Sequence, residues 1–407
     1  MRISTGLFEG TSITNMVRLQ RLKDICAMTS LLLAAMLLLV FISDPQNVSY
    51  LDLSNTDYPR AAYAEQNPNA SQKIYSLLKQ RLKGIKVNQS QRCEPNTTIA
   101  NVSGFDTFSP MIQDFLYYRH CRSFPLLLDL PEKCGRDDKP EDVFLLLVIK
   151  SSPKNYEHRE VLRKTWAKER LYKGKMIRRI FIIGTDGLGF EKEKLNKLVA
   201  LEHQHYNDIL QWDFKDSFYN LTLKQILFLE WMESRCSQAR FLLNGDDDVF
   251  AHTDNMIDYL QHLKDNDGSK HLFIGDLLKI SYPKRDQRSK YYVPHVVYEK
   301  NVYPPYCGGG GYLLSGYTAL VIYKMSAKVQ FIPIDDVYMG MCLAAVKLEP
   351  KSHMGVKTLG WYIPSKKIDK FDPCYMRDLL LIHKFPPKDL YFLWHEVHNP
   401  RLQCDKL

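Results

Sequence analysis

From Val143 onward the chain alternates short apolar runs with segments of helical spacing, which leaves few architectures open to it. FLLLVIK at 144–150 is a short apolar run bounded by polar residues and predicts a buried strand. A helix-like stretch follows at 158–168. IRRIFIIG at 177–184 predicts a second strand and 190–203 a second helix. A third strand is expected at 209–214, and NLTLKQILFLEWMES at 220–234 has helical spacing. A fourth strand at 240–243 leads towards a helix at 253–263. This order predicts an α/β fold on an open, mainly parallel sheet. Beyond residue 270 the pattern weakens to strands at 272–278 and 312–315 and a helix at 335–348. Trp166, Trp212 and Trp231 fall among apolar residues and are expected in the core.

In open α/β sheets, ligands bind beyond the carboxyl ends of the strands. The fourth strand runs into such an end as FLLNGDDDVF, at 241–250. Adjacent carboxylates repel one another, and burial worsens the repulsion. The stretch is therefore either a solvated loop or a seat for a cation. Asp246 and Asp248 form a D-x-D pair, and Mg²⁺ or Mn²⁺ can take such oxygens while phosphate fills its other positions. The spacing of an EF-hand calcium loop is absent.

Four further pieces could carry chemistry. Asp335 and Asp336 follow the strand-like run FIPI; one could serve as a general base, or an Asp could cap the following helix. Between Cys307 and Tyr312 stand four glycines, either a tight turn or a wall close to a substrate; no Lys follows, so this is not a nucleotide-binding P-loop. Lys150, Arg159 and Arg163 lie at and after the first strand. They could neutralise phosphate or form a solvated face. His383, after LLLI, is either structural or a ligand.

The N-terminal part sets the compartment. Residues 25–42, ICAMTSLLLAAMLLLVFI, carry no charge and reach the lower length limit for a membrane-crossing helix. Arg18, Arg21 and Lys23 precede them, which predicts a cytosolic tail at 1–24, an uncleaved signal anchor at 25–42 and a lumenal remainder. A cleaved signal peptide fits less well, because no small-residue cleavage pattern follows. Sequons at Asn47, Asn69, Asn88, Asn96, Asn101 and Asn220 suit a lumenal chain, five of them in a polar stem expected at 43–110. Of 9 cysteines, all but Cys26 lie beyond the anchor; their even number fits four disulfides, with Cys121 and Cys134 able to close a local loop. No zinc-type C-x-x-C pair occurs. The net charge of +9 is modest, and the basic run at 284–290 reads as a solvated loop, so no nucleic-acid partner is expected.

Taken in order, KSSPKNYEHREVLRKTW, DILQWDFKDSFYNLTLK, FLLNGDDDVF, YPPYCGGGGYLLSG and IDDVYMGMCL resemble the lumenal β-1,3-glycosyltransferases of glycosyltransferase family 31. The similarity runs from about Cys121 to the C-terminus and is nearest the β-1,3-N-acetylglucosaminyltransferase branch. It implies a GT-A-like nucleotide-sugar-binding fold over 111–407, behind a Golgi membrane anchor of single-pass type II topology. It implies an inverting transfer of N-acetylglucosamine from UDP-GlcNAc to a galactose-terminated glycan, with Mn²⁺ or Mg²⁺ as cofactor. A β-1,3-galactosyltransferase and an inactive lectin-like relative are the alternatives. By this resemblance Asp248, Asp246 and His383 would hold the metal. Asp336, or its neighbour Asp335, would be the base. Lys150, Arg159, Arg163, Asp246, Asp247, Tyr306, Gly309, Gly310, Gly311 and Tyr312 would contact the UDP-sugar. Acceptor choice would lie in the loops at 279–294 and 352–370. Association with itself or with other glycosyltransferases is compatible with such an enzyme.

Overall fold

The structure is a computed structural model that describes residues 93–136, 138–358 and 372–404. The expected tail, the anchor and the sequons at Asn47, Asn69 and Asn88 lie outside the described residues. Among the described residues no helix is long and apolar enough to cross a membrane.

The main sheet runs in the order β1 (Leu126–Leu128), β7 (Ile209–Lys215), β6 (Lys175–Thr185), β4 (Val143–Lys150), β8 (Phe241–Asp246), β13 (Gly311–Ser315), β10 (Phe273–Gly275) and β14 (Lys351–Ser352), with β5 (Arg170–Tyr172) paired to β6. Its heart, β7-β6-β4-β8, is parallel. The pairs β1–β7, β5–β6, β8–β13 and β10–β13 are antiparallel. The expected mainly parallel sheet is thus a mixed one, with a parallel centre, a further parallel pair β10–β14 at one edge and antiparallel pairs elsewhere. Between β8 and β13 the chain returns from the opposite direction. A hairpin-like pair β2 (Gly135–Arg136) and β3 (Lys139–Pro140) lies outside this sheet, as does the pair β11 (Leu277–Leu278) and β12 (Tyr306–Cys307).

The side-chain alternation of β4 explains the layering. Leu146 and Val148 enter one core, whereas Leu145, Leu147 and Ile149 enter the other. A register shift near Val143 places Phe144 and Leu145 on the same side. Such two-faced burial is what a near-continuous apolar run in a parallel strand encodes. One core takes helices α1 (Pro110–Tyr118), α4 (Leu221–Arg235), α6 (Gly316–Ser326) and α7 (Asp335–Ala345). The other takes α2 (Tyr156–Lys164), α3 (Gly189–Tyr206), α5 (Thr253–Gln261), α8 (Pro373–Arg377) and α9 (Pro387–Val397). Trp166, Trp212 and Trp231 are all buried, as their surroundings predicted.

Three expectations change. The folded region begins before residue 111: Phe105 is buried and its ring meets Tyr117 edge-on at 5.1 Å, so residues from Cys93 pack with the domain. The disulfides are Cys93–Cys121, Cys134–Cys236 and Cys374–Cys404, with Cys307 and Cys342 buried as free thiols. Cys121 therefore does not pair with Cys134, and three bridges replace four. The run at 331–334 is not a strand, since it forms no ladder before α7.

Candidate active site

The site forms where β4 and β8 end side by side. Their register sets Lys150 opposite Asp246, so a lysine and a carboxylate meet at the carboxyl edge of the sheet. Lys150 is 4% exposed. Its Nζ lies 3.0 Å from Asp246 Oδ1 and donates to Asp335 Oδ2 at 2.7 Å and to Gly309 O at 3.2 Å. Burial alone would lower its pKa, but the Asp246 and Asp335 carboxylates outweigh that and hold it well above the usual lysine range. Lys150 is therefore a charged internal tie between the D-x-D strand and α7, with its donors already engaged.

The three adjacent aspartates have different partners. Asp246 is half-buried; burial, then the Asp335 and Asp248 charges, push its carboxyl upward against the pull of Lys150. Asp247 turns the other way. Its Oδ2 accepts from Ser151 Oγ at 2.6 Å and from Asn155 Nδ2 at 2.8 Å, so it braces the loop after β4 instead of facing the D-x-D cleft. The oxygen of Asp247 that makes these bonds is committed to that loop and not to a donor. Asp248 sits 3.4 Å from His383 Nε2 and 3.3 Å from Lys384 Nζ. Burial raises its carboxyl, but these two partners prevail and keep it below the usual range.

His383 arrives by a pairing that no local pattern announces. β16 (Leu381–His383) lies between β15 (Val356–Lys357) and β9 (Val249–Ala251) in a small second sheet. The antiparallel register puts His383 across from Val249, one residue after Asp248. Its Nδ1 lies 3.0 Å from the Thr358 carbonyl, which can accept only from an N–H. Nδ1 thus carries the proton in the neutral ring and leaves the Nε2 lone pair facing Asp248. Ligating atoms of Asp246, Asp248 and His383 all lie within 4.8 Å of one another. Asp248 Oδ1, the oxygen that faces His383 Nε2 at 3.4 Å, is buried and makes no hydrogen bond when Nε2 carries no proton. Two carboxylates and an imidazole, one with an orphaned oxygen, fit a divalent cation such as Mn²⁺.

The paired carboxylates differ as well. Ile334 is the N-cap of α7 and no side chain caps it, so neither Asp acts as the cap. Both lie in the first turn, where the helix dipole favours negative charge. Asp335 is buried and committed to Lys150. Asp336 is less buried; its Oδ1 accepts from the Val337 amide at 2.7 Å, and the Gly309 amide also donates to it. Burial, then the Asp335 charge, push the Asp336 carboxyl up to about 7.

The glycine run is a packed turn between β12 and β13. A Cβ on Gly309 would come within 3.2 Å of Asp336 Oδ2, and one on Gly311 within 2.5 Å of Leu381 Cδ1. The glycines let two strands, α7 and the histidine strand converge, so the run is a tightly packed turn. Gly310 O accepts from the Asp246 amide at 3.2 Å, tying the turn to the aspartates. Tyr306 is buried, with its hydroxyl 3.1 Å from Ser281 Oγ. Tyr312 is 1% exposed and stacks on Phe273 at 4.6 Å between ring centres, so it forms floor beneath the site and not its lining.

Arg159 and Arg163 do not join the site. Arg159 is 0% exposed and binds Glu202 with Nε at 2.8 Å and Nη2 at 2.6 Å. Arg163 binds Asp208 at 2.9 Å and Glu202 at 2.7 Å. Their charges are consumed inside the fold, under α3, so they are neither a solvated face nor a phosphate clamp. Arg159 reaches the site only indirectly, by donating to Ser151 Oγ at 3.1 Å and to the Ser152 carbonyl. Sequence reasoning passed over Ser151, Asn155 and Lys224. Buried Lys224 donates to Ser151 O at 2.6 Å and pairs with Asp216 at 2.7 Å. Its only signal was its place at the end of DFKDSFYNLTLK.

The galactosyltransferase family model matches residues 157–354. The chain is 51% identical over 313 residues to N-acetyllactosaminide beta-1,3-N-acetylglucosaminyltransferase 3 of Homo sapiens, covering 77% of this chain and 82% of that one. It is 46% identical over 316 residues to the human acetylgalactosaminyl-O-glycosyl-glycoprotein beta-1,3-N-acetylglucosaminyltransferase, covering 77% of this chain and 81% of the relative. To UDP-GlcNAc:betaGal beta-1,3-N-acetylglucosaminyltransferase 7 of Rattus norvegicus it is 40% identical over 316 residues, 77% of each chain. With these relatives and the ordered site motifs on one sheet edge, the chain belongs to the galactosyltransferase family, glycosyltransferase family 31, in the branch of the β-1,3-N-acetylglucosaminyltransferases.

Proposed function

We propose that this protein moves N-acetylglucosamine from UDP-GlcNAc in β-1,3 linkage to a galactose-terminated glycan, inverting the anomeric carbon at a GT-A-like, cation-dependent site. The observation that carries the reading is the convergence of Asp246, Asp248 and His383 beside the Lys150–Asp335 tie and Asp336. The donor assignment rests on the names of the relatives, since the family's own name refers to galactose. Asp246, Asp248 and His383 would hold Mn²⁺ or Mg²⁺. Such a cation, when bound, supplies positive charge against a diphosphate leaving group.

The protein's own residues supply the rest. Asp336 accepts the proton of the acceptor's 3-hydroxyl, which a carboxylate with a pKa about 7 is suited to do near neutral pH. As that proton leaves, the oxygen forms its bond to the sugar's C1. The bond from C1 to the diphosphate breaks and its electron pair departs with UDP. Asp335 is a poor choice for this role because Lys150 occupies its carboxylate. The Gly309 and Val337 amides orient Asp336. Lys150 keeps the acceptor side and the cation side in fixed relation. Residues 25–42 would anchor the enzyme in the Golgi membrane with the catalytic domain in the lumen.

The test is transfer of radiolabelled sugar to galactose-terminated acceptors, with UDP-GlcNAc and UDP-galactose in parallel. GlcNAc incorporation that stops with chelator, returns with Mn²⁺ and is absent in Asp248→Ala is the expected result. Transfer from UDP-galactose alone would overturn the donor. Full activity of Asp248→Ala without metal would overturn the cation site, and UDP release insensitive to acceptor would make the enzyme a hydrolase.

A further inference from the structure

We infer that Asp276 is a positioning residue that holds His383 in place for the cation site, acting through the backbone of Thr358. The inference rests on the cation reading above and deepens it. Its starting point is a broken strand. The apolar run at 272–278 was expected to be continuous, yet β10 stops at Gly275 and β11 begins at Leu277. Asp276, at the break, serves two neighbours with two different groups. Its carbonyl accepts from the Gly308 amide at 3.0 Å, which secures the start of the glycine turn. Its Oδ2 accepts from the Thr358 amide at 2.9 Å and from Thr358 Oγ1 at 3.3 Å. The Thr358 carbonyl is in turn the partner of His383 Nδ1 at 3.0 Å. A carboxylate, the backbone of one residue and an imidazole thus form a chain that ends at the Nε2 facing Asp248; the Thr358 N–H and C=O lie in successive peptide planes joined at its Cα.

The surrounding space shows why this peptide cannot drift while the chain is intact. A Cβ on Gly308 would lie 2.3 Å from Thr358 Oγ1, and one on Gly310 would lie 3.0 Å from His383 Cβ and 3.3 Å from Thr358 Cβ. Thr358 is therefore wedged against the glycine turn, with the Asp276 carboxylate gripping its amide. A hydrogen bond from a backbone amide to an ionised acceptor is stronger than a neutral one, and a buried amide left without it is costly. The part of Thr358 that matters is its backbone, since the side-chain bond is the longer of the two. Outer partners of metal-binding histidines typically change metal affinity by about 10–100-fold. Asp276 stands one bond further out, so the low end of that range is expected.

The experiment is direct Mn²⁺ binding to the full-length protein, read as free Mn²⁺ by electron paramagnetic resonance, beside thermal unfolding of each variant. Asp276→Ala should bind Mn²⁺ about tenfold more weakly. Asp276→Asn keeps an acceptor oxygen but loses the charge, and should bind between wild type and Asp276→Ala. In a His383→Ala background, Asp276→Ala should cost nothing further, because the two act on one ligand. If Asp276→Ala does not fold, Asp276→Glu tests the same point by moving the carboxylate outward by one methylene, and it should weaken binding. Unchanged Mn²⁺ affinity in folded Asp276→Ala or Asp276→Glu overturns the inference while leaving the cation site standing, as does an additive loss in the His383→Ala background. Absence of Mn²⁺ binding by the wild type, or undiminished binding by Asp248→Ala, overturns the cation reading and this inference with it.

Discussion

Two buried clusters of charge lie in this fold, and their carboxylates behave in opposite ways. Beneath α3, Asp208 is gripped by Arg163 at 2.9 Å and Arg179 at 2.7 Å. Burial would raise its carboxyl, but the two guanidinium groups outweigh it and hold the carboxyl below the usual range. At the sheet edge, burial and the like-charged Asp335 outweigh the Val337 and Gly309 amides and the more distant Lys150, and the Asp336 carboxyl rises to about 7. The first cluster is closed around its carboxylates: Glu202 and Asp208 are each held by two guanidinium groups, although Arg163 Nη1 makes no hydrogen bond. The second is open, with Asp248 Oδ1 lacking a hydrogen bond and Asp336 held near neutrality. Closed clusters hold a fold together; open ones keep capacity for a ligand or a proton.

The sharpest test of the open cluster is Asp336→Asn. The amide keeps the shape and loses the base, so kcat should fall by about 10²–10⁴-fold while UDP-GlcNAc binding persists. Stopped-assay kinetics with calorimetric donor binding measure both, and near wild-type kcat would move the base elsewhere. In the wild type, kcat should rise with pH up to about 7, because Asp336 must be ionised to take a proton.

The closed cluster should respond in stability. Arg159→Met leaves Glu202 buried beside Arg163 with one partner fewer, and losing one member of a buried pair costs about 3–5 kcal/mol. Denaturant unfolding should show that loss, with turnover per folded molecule much less affected. Replacing Glu202 as well, in Arg159→Met with Glu202→Leu, should recover part of the stability. If Arg159→Met instead raised KM for UDP-GlcNAc in a stable protein, the division between the clusters would fail.

The smallest effect is on the pH dependence of unfolding, where the two carboxylates have opposite signs. Asp208 is depressed in the fold, so its contribution is present above the unfolded value, about 4, and is lost as pH falls. Asp336 is raised, so its contribution is full below about 4 and is lost as pH rises through about 7. In metal-free protein, Asp336→Asn should flatten the loss of melting temperature between about pH 4 and about pH 7 and leave the loss at lower pH unchanged. A variant that altered the acid limb instead would show that the two groups are not separate.

Much of the parallel half of the sheet was legible because each strand there contains an apolar run and, except for β8, leads towards a helix. The same pattern placed FLLNGDDDVF at a strand end, and Asp246 and Asp248 do open onto the edge beside Lys150. Arg159 and Arg163 were misread because helical spacing shows that two residues share a face but not what covers that face; here it is Glu202 and Asp208. The disulfide partners were not legible either, since Cys134 and Cys236 lie 102 residues apart.

By itself, then, the sequence determined the alternation of strands and helices from 143 to 263, the burial of the central strands and the presence of two acidic pairs at element ends. These follow from local periodicity, in which each residue's preference is expressed by its near neighbours. Only the tertiary structure decided that Asp247 turns away, that Lys150 joins Asp246 to Asp335, and that His383 completes the cleft by pairing across from Val249. Those outcomes depend on hydrogen-bonded ladders between distant segments. Such pairings are selected by the packing of the whole chain, and no window of sequence contains both partners.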